Sequence, residues 1–542
     1  MPFNNSLSSQ GLPILQSGDD EKVFNILQSF SKECGEADAA LQAANVASYL
    51  APTPENVQTT IANNRKEAFD IMEELSSIMG NISAKHAQTQ DSLMANLSNK
   101  WHDAEAEQDP IGRYNKLVEY WKLVNDVIGT SVTDLLEQLY RRLNEATQSL
   151  FNETNFAQST RHMNFENDNP GYDTVQDAER LWMQILPLYE ELHTYLRKSL
   201  QDKYRGSWNT GWNIGAHLLM TQGGKTWNWP QHHSATKPYR TGQPGNLSFH
   251  DIVKRQMLQN CVPHVINAGN GHSCLLMCGV VDLDTLEVMH HEVGHIHQIK
   301  QAATQPYGLR LVNFALHEAV GDAIGLSVTT PEYLSKIGLL TSHLPIEQLQ
   351  LNHLHYQALA QLSAIPHLLA LMNWQWDVLG QKVQRAEWNA RWHQLEQRYT
   401  GVVPPVQRSP GDVLDAATYL HIRSTVTYSR YYFSRILTYQ FYEAMCIDIG
   451  HTGELHRCNL YGDKRAGEKL KWMMRSADSL PWHQLLLGMT AQARFDAAPL
   501  VRYFRPLMEW LKEQNKGECY GWGVSWPTDS SSLQRNRHSY LS

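Results

Sequence analysis

The 542-residue sequence has no long basic run, no apolar run of the eighteen or so residues a membrane helix needs, and no internal repeat. With 46 Lys+Arg against 55 Asp+Glu the formal charge is -9, so a surface that tracks nucleic-acid phosphates has no electrostatic support. The opening stretch, MPFNNSLSSQGLPILQSGDD, lacks the basic and apolar regions of a secretory signal, and as written the chain carries no address. Cysteine is sparse and odd in number, seven in all, which leaves at least one thiol outside any set of bridges. Five N-x-S/T sequons, beginning at Asn4, Asn81, Asn96, Asn152 and Asn246, point instead toward an extracellular or secreted glycoprotein.

What is present is ordinary for a folded protein: 42% hydrophobic and 19% charged residues, with 16 Trp and 23 Tyr, far too aromatic for disorder. From about Glu21 to Tyr204 apolar residues recur at three- and four-residue steps, as in RYNKLVEYWKLVNDVIGTSVTDLLEQLYRRLNEATQSL, which predicts long amphipathic helices. A Gly-, Pro- and polar-rich stretch, TQGGKTWNWPQHHSATKPYRTGQPGNLSF, then predicts a long loop or a crossover between two lobes. HSCLLMCGVVDLDTLEVMHHEVGH reads as a short strand running into a helix, with Asp282 and Asp284 placed where a helix start favours carboxylates. Helices resume from Thr330 with a break at GVVPPVQRSPGD. The expected fold is mostly α, two-lobed, with a very small β component. Residues 1–20 are expected to be a disordered segment, 21–526 a single domain and 527–542 a polar tail.

Within VMHHEVGHIHQ, His291 and His295 are four residues apart, so on a helix their rings share one face a turn apart, the span two imidazoles need to share a metal. Glu292 lies beside them without taking a ligand position, where it can take a proton from a metal-activated water. By itself H-E-x-x-H also suits a polar patch on an ordinary helix. The segment FALHEAVGDAIGLS adds Glu318, 23 residues after His295 on an apolar helical stretch, as a third ligand, and Asp322 one turn on, able to orient a ligating imidazole. Acids are seldom held on an apolar face without a partner. His290 and His297 fall off the ligand face.

These two segments, with LPLYEELHTYLRKSL, AHLLM, TYSRYYFSRILTYQFYEAMC, LHRCNLYGDKRAGEKL and PLVRYFRPLMEWLKEQNK, resemble the angiotensin-converting-enzyme family of zinc peptidases over about Leu181 to Trp526. The resemblance implies two helical lobes around a deep central cleft, and a zinc ion on His291, His295 and Glu318, with Glu292 as base. It places His421 at a substrate-binding histidine, Tyr428 at a pocket tyrosine, Tyr431 at the tyrosine facing the oxyanion, and Arg430 at an arginine that holds an activating chloride. It pairs Cys446 with Cys458 and Cys261 with Cys278. Departures from the family are equally specific. Val262 takes the place of a second substrate histidine, with His264 two residues on and on the same side of a strand, and the stretch from Trp227 to Cys261 is tens of residues short. Where dipeptide-releasing members hold the substrate's terminal carboxylate with a lysine and a glutamine, this chain has Tyr419 and Lys225.

Three functions stay open on this basis. The first is a zinc metallocarboxypeptidase releasing single residues, with Lys225 as the carboxylate's cation. The second is a peptidyl-dipeptidase. The third is a peptide-binding or scaffold protein that keeps zinc without turnover, which Val262 and the shortened segment favour. Peptides are the expected partners, with no nucleic acid and no membrane span; chloride is a further expected ion, and the oligomeric state is not readable.

Overall fold

The computed structural model describes residues 70–522 except 72, 86–95, 97–98, 101–102, 105, 205–262, 270–271, 278–282, 307–308, 311, 341–344, 407, 409–412, 425 and 520. Its described part is overwhelmingly helical, as the periodicity predicts. The longest helix, α1 (Pro110–Phe151), starts where the Asp109 carboxylate accepts the Gly112 N–H at 2.8 Å and Pro110 supplies a pre-set φ. It stops where Asn152 turns left-handed at φ 53°. Helix α2 (Thr174–Tyr204) follows, carrying Pro187 inside it.

A two-stranded antiparallel hairpin, β1 (His264–Gly269) and β2 (His272–Leu276), precedes α3 (Leu283–Ala302), so the strand-into-helix reading holds. Next comes α4 (Phe314–Val328), where Asn313 caps the start by accepting the Ala315 N–H at 2.9 Å. Ala315, Leu316, Ala319, Val320, Ala323 and Leu326 leave α4 apolar almost all round and are all buried, the signature of a helix covered on more than one side. Each such fully buried leucine or valine stabilises the fold by roughly 1.5–3 kcal/mol relative to exposure.

Helices α5 (Ile346–Gln357) and α6 (Ala364–Leu379) are joined without a loop by one wide π-helical turn, Ala358–Leu362. Then follow α7 (Trp388–Thr400), two short 3-10 turns at Asp415–Thr418 and Leu420–Arg423, and α8 (Ser429–Asp448). The long α8 also packs along α4, so α4 is covered by both α3 and α8. Trp182, Trp374 and Trp482 anchor the surrounding core, the last two with their indole N–H groups donating to the carbonyls of Trp388 and Phe165. No helix among the described residues is long and apolar enough to cross a membrane.

Cys446, near the end of α8, is bridged to Cys458 across 12 residues, and both half-cystines are buried. The expected partner pair, Cys261 with Cys278, lies outside the described residues. By the loop-closure estimate the Cys446–Cys458 bridge stabilises the protein by about 3 kcal/mol. Replacing both cysteines by alanine should lower the denaturation free energy by that order, measured by urea unfolding against wild type. Unreduced peptide mapping should return the two half-cystines in one linked fragment.

Candidate metal centre

His291, Glu292 and His295 stand on α3, and Glu318 and Asp322 on α4. The two helices reach each other because side chains are missing where they cross. A Cβ on Gly321 would lie 2.8 Å from the His291 ring, and one on Gly294 only 3.2 Å from the Gly321 Cα. Gly325 accommodates Glu287 in the same way, with a Cβ there 3.1 Å from the Glu287 Cγ. This glycine seam lets the two helices touch nearly backbone to backbone.

Across the seam three donor atoms converge. His291 Nε2 lies 2.9 Å from His295 Nε2 and 3.5 Å from Glu318 Oε2, and His295 Nε2 lies 3.8 Å from that oxygen. Zinc bonds of about 2.05 Å at tetrahedral angles space their ligand atoms roughly 3.3 Å apart, so two imidazole nitrogens and a carboxylate in this triangle suit that ion. It is the one such His/Cys/Asp/Glu group among the described residues. The triangle also favours a positive charge at its centre. Against the penalty of burial, the Asp322 and Glu318 carboxylates drive His291 up to about 10. Burial, with the imidazoles of His317 and His291 alongside, pushes His295 down to about 3, which keeps it neutral with a lone pair to give.

A second group of residues is supplied by the 3-10 turn before α8 and by α8 itself. The His421 and Tyr431 rings stack at 5.1 Å, with His421 Nε2 2.9 Å from the Tyr431 hydroxyl, and Tyr428 closes the trio at 5.7 Å from His421 and 6.0 Å from Tyr431. The Glu318 charge acts on both His421 and Tyr431, which ties this wall to the donor triangle.

A family model described as angiotensin-converting enzyme matches residues 19–262 and 261–522. The chain belongs to the angiotensin-converting-enzyme family. Angiotensin-converting enzyme of Oryctolagus cuniculus is 30% identical over 448 residues, covering 76% of this chain and 34% of the rabbit protein. The proteins of that name from Mus musculus and Bos taurus are each 30% identical, over 475 and 455 residues, with 79% and 76% of this chain covered against 36% and 34% of theirs. The chain therefore spans about a third of the length of the curated relatives it matches.

In this family member the expected orienting contact is present: His291 Nδ1 donates to Asp322 Oδ1 at 2.9 Å, which fixes the tautomer and turns Nε2 toward the other donors. His290 instead bonds back to the Leu286 carbonyl at 2.8 Å, and His297 is exposed, both off the donor face as expected. Tyr419 packs against His367 and Trp392, at ring distances of 4.6 and 5.5 Å. Arg430 lies 4.0 Å over the Phe314 ring and 5.9 Å from that of Tyr431. Lys225, Val262 and the shortened segment lie outside the described residues, as does the side chain of His264, whose backbone opens β1 opposite Leu276.

Sequence reasoning missed three features. His317 stacks on His295 at 3.9 Å with rings 10° from parallel while its Nδ1 donates to Gln298 at 2.5 Å, so the neighbour of Glu318 helps hold a donor ring in place. The glycine seam was the second; its signal was the run of glycines at helical spacing in VGHIH and AVGDAIGLS. The third is Arg435 on α8. Its Nη1 donates to Asp322 Oδ2 at 3.0 Å and also to the Gln361 side-chain oxygen, while Gln361 donates to Glu287 at 2.9 Å. Although burial opposes it, the Arg435 charge, with His291, holds Asp322 at about 2. The polar chain leaves α3 at Glu287 and returns to it one turn later at His291. Removing the cation with Arg435→Met should weaken zinc binding by about tenfold, the low end of the range for groups that orient a ligand. Chelator competition measures it, and Arg435→Lys should recover part of the loss. Gly321→Ala should also weaken zinc binding and destabilise the fold by about 1–3 kcal/mol, because the new methyl must displace the His291 ring or part the helices.

Proposed function

We propose that this chain is a zinc metallopeptidase acting at the C-termini of peptides, with His291, His295 and Glu318 as the zinc ligands, and that it releases single residues. The observation that carries this reading is the meeting of that donor triangle with an adjacent buried acid, Glu292, and with the His421–Tyr431 pair. Three protein ligands leave a fourth position open, as catalytic sites do and structural sites do not.

Zinc held there supplies a Lewis acid that polarises the scissile carbonyl and acidifies a water. Glu292 takes a proton from the attacking water and passes it to the leaving amine as the peptide C–N bond breaks. Burial raises the Tyr431 hydroxyl well above its ordinary value, so it stays protonated and can donate to the oxyanion that develops on the carbonyl oxygen. Burial, with Arg430 nearby, pushes His421 down to about 4, so at neutral pH it enters the reaction uncharged and holds the Tyr431 hydroxyl in place. Arg430 touches Tyr431 and is the residue we assign to a modulating chloride. His264 is assigned to the second substrate histidine's task. The peptide lies in a cleft between two lobes.

Release of one residue is inferred from charge placement. Tyr419 carries no cation where dipeptide-releasing members carry lysine, and Lys225 adds one where they carry a neutral amide, so the terminal carboxylate moves to the available cation. The bridge between Cys446 and Cys458 supports an oxidising, extracellular setting. Val262 favours a second reading, a zinc-retaining peptide-binding protein.

Incubation with a mixed peptide library, with and without chelator, followed by mass mapping should show single C-terminal residues released only with metal present. Dipeptides as first products would move the assignment to peptidyl-dipeptidase, and no metal-dependent product at all would favour the binding protein. Glu292→Gln should keep zinc while losing roughly 10²- to 10⁴-fold in turnover. Glu318→Gln should instead weaken the zinc itself.

A further inference from the structure

Arg423 ends the 3-10 turn that carries His421, two residues after it. Its Nε is buried with no hydrogen-bond partner, and no carboxylate among the described residues compensates it; the one neighbour that favours its charge is Tyr428. Two other half-buried arginines are occupied: Arg435 by Asp322 and Gln361, and Arg408 by Asp415 and Asp126. Burial without a counter-charge draws Arg423 down to about 10, the reverse of what a paired guanidinium shows. The position is also rigid. The Tyr140 hydroxyl on α1 donates to the Ile422 carbonyl at 2.7 Å, and Gln375 on α6 clasps the backbone at Val426 and Tyr428 at 3.1 and 2.7 Å. Tyr428, with its ring 5.7 Å from that of His421 and 6.0 Å from that of Tyr431, links Arg423 to the His421–Tyr431 wall.

A half-buried guanidinium whose Nε is shut from water without a partner is costly, and a rigid one beside the His421–Tyr431 wall is pre-organised for a planar anion. We propose that Arg423 binds a carboxylate of the peptide substrate, and that the carboxylate it takes is the C-terminal one. The inference rests on the peptidase reading above and adds to it a second cation for the same terminal carboxylate that is assigned to Lys225. A guanidinium meets a carboxylate through two parallel N–H···O bonds, whereas a C-terminal amide would offer it a single neutral acceptor and an N–H₂ that repels it.

The test measures binding, so it does not depend on turnover. The full chain carrying Glu292→Gln, loaded with zinc, is titrated calorimetrically with an acetylated neutral tripeptide as free acid and as C-terminal amide, and with an amidated tripeptide bearing a glutamate side chain. The free acid should bind more tightly than either amide. Adding Arg423→Gln should weaken the free acid by roughly 30- to 1000-fold, the range for removing one partner of a buried charge pair, and change the neutral amide less than threefold. Arg423→Lys should keep part of the preference, and it is the fallback if the glutamine variant does not fold. Equal binding of free acid and amide by the Glu292→Gln protein overturns the proposal without any Arg423 variant. A loss confined to the glutamate-bearing amide assigns Arg423 to a side-chain carboxylate and overturns the C-terminal assignment. An effect that vanishes in chloride-free buffer makes Arg423 an inorganic-anion site and overturns it as well. Dipeptides as first products in the library experiment would end the single-residue reading while leaving the free-acid preference of Arg423 standing, so the two failures are distinct.

Discussion

The site depends on one contact: α3 and α4 crossing at glycines. Gly294 and Gly321 bring the two backbones so close that a single methyl at Gly321 would meet the His291 ring at 2.8 Å. At that separation a carboxylate one turn from the crossing, Glu318, can share a centre with His291 and His295, and a second one turn further along, Asp322, can hold the back of the His291 ring. With a larger crossing distance the same residues would be present and would not converge. The stabilisation that opposes the crowding comes from the apolar residues of α4, which are buried where α3 and α8 pack against it.

Helix α8 serves two tasks with residues one turn apart on the same face. Arg435 faces the back of the donor cluster through Asp322, and Tyr431 forms an aromatic wall with His421. The wide π-helical turn between α5 and α6 brings Gln361 into the same network, so four segments are tied by one chain of polar contacts running from Glu287 to His291. Such a chain is stiff because each member is held from two sides, and the low dielectric of its surroundings makes each contact stronger than in water.

Three arginines lie around this centre in three different states. Arg435 is neutralised by a carboxylate, Arg430 is laid over aromatic rings, and Arg423 is half-buried with its Nε unpartnered and no counter-charge among the described residues. In sequence only Arg430 is singled out, by the family resemblance, while Arg423 and Arg435 read as ordinary arginines on or beside a helical stretch. Their chemistry is assigned by what the fold sets against them.

The sequence by itself determined the helical character, the strand ahead of α3, and the pairing of His291 with His295 and of Glu318 with Asp322, because each is a matter of spacing along one element. A period near 3.6 residues, or a four-residue step on a helix, is set by the chain's own geometry whatever the rest of the molecule does. That the two pairs share a centre is what the resemblance implies, whereas only the tertiary structure decided that His317 lies flat on His295, that Arg435 completes the support of Asp322 and that Arg423 stands uncompensated beside His421. Arg435 is 113 residues from Asp322, and Tyr140 is 282 from the carbonyl it holds at Ile422. Contacts of that separation leave no period in the sequence, since they follow from how closely whole helices pack, and that packing is set by many side chains jointly.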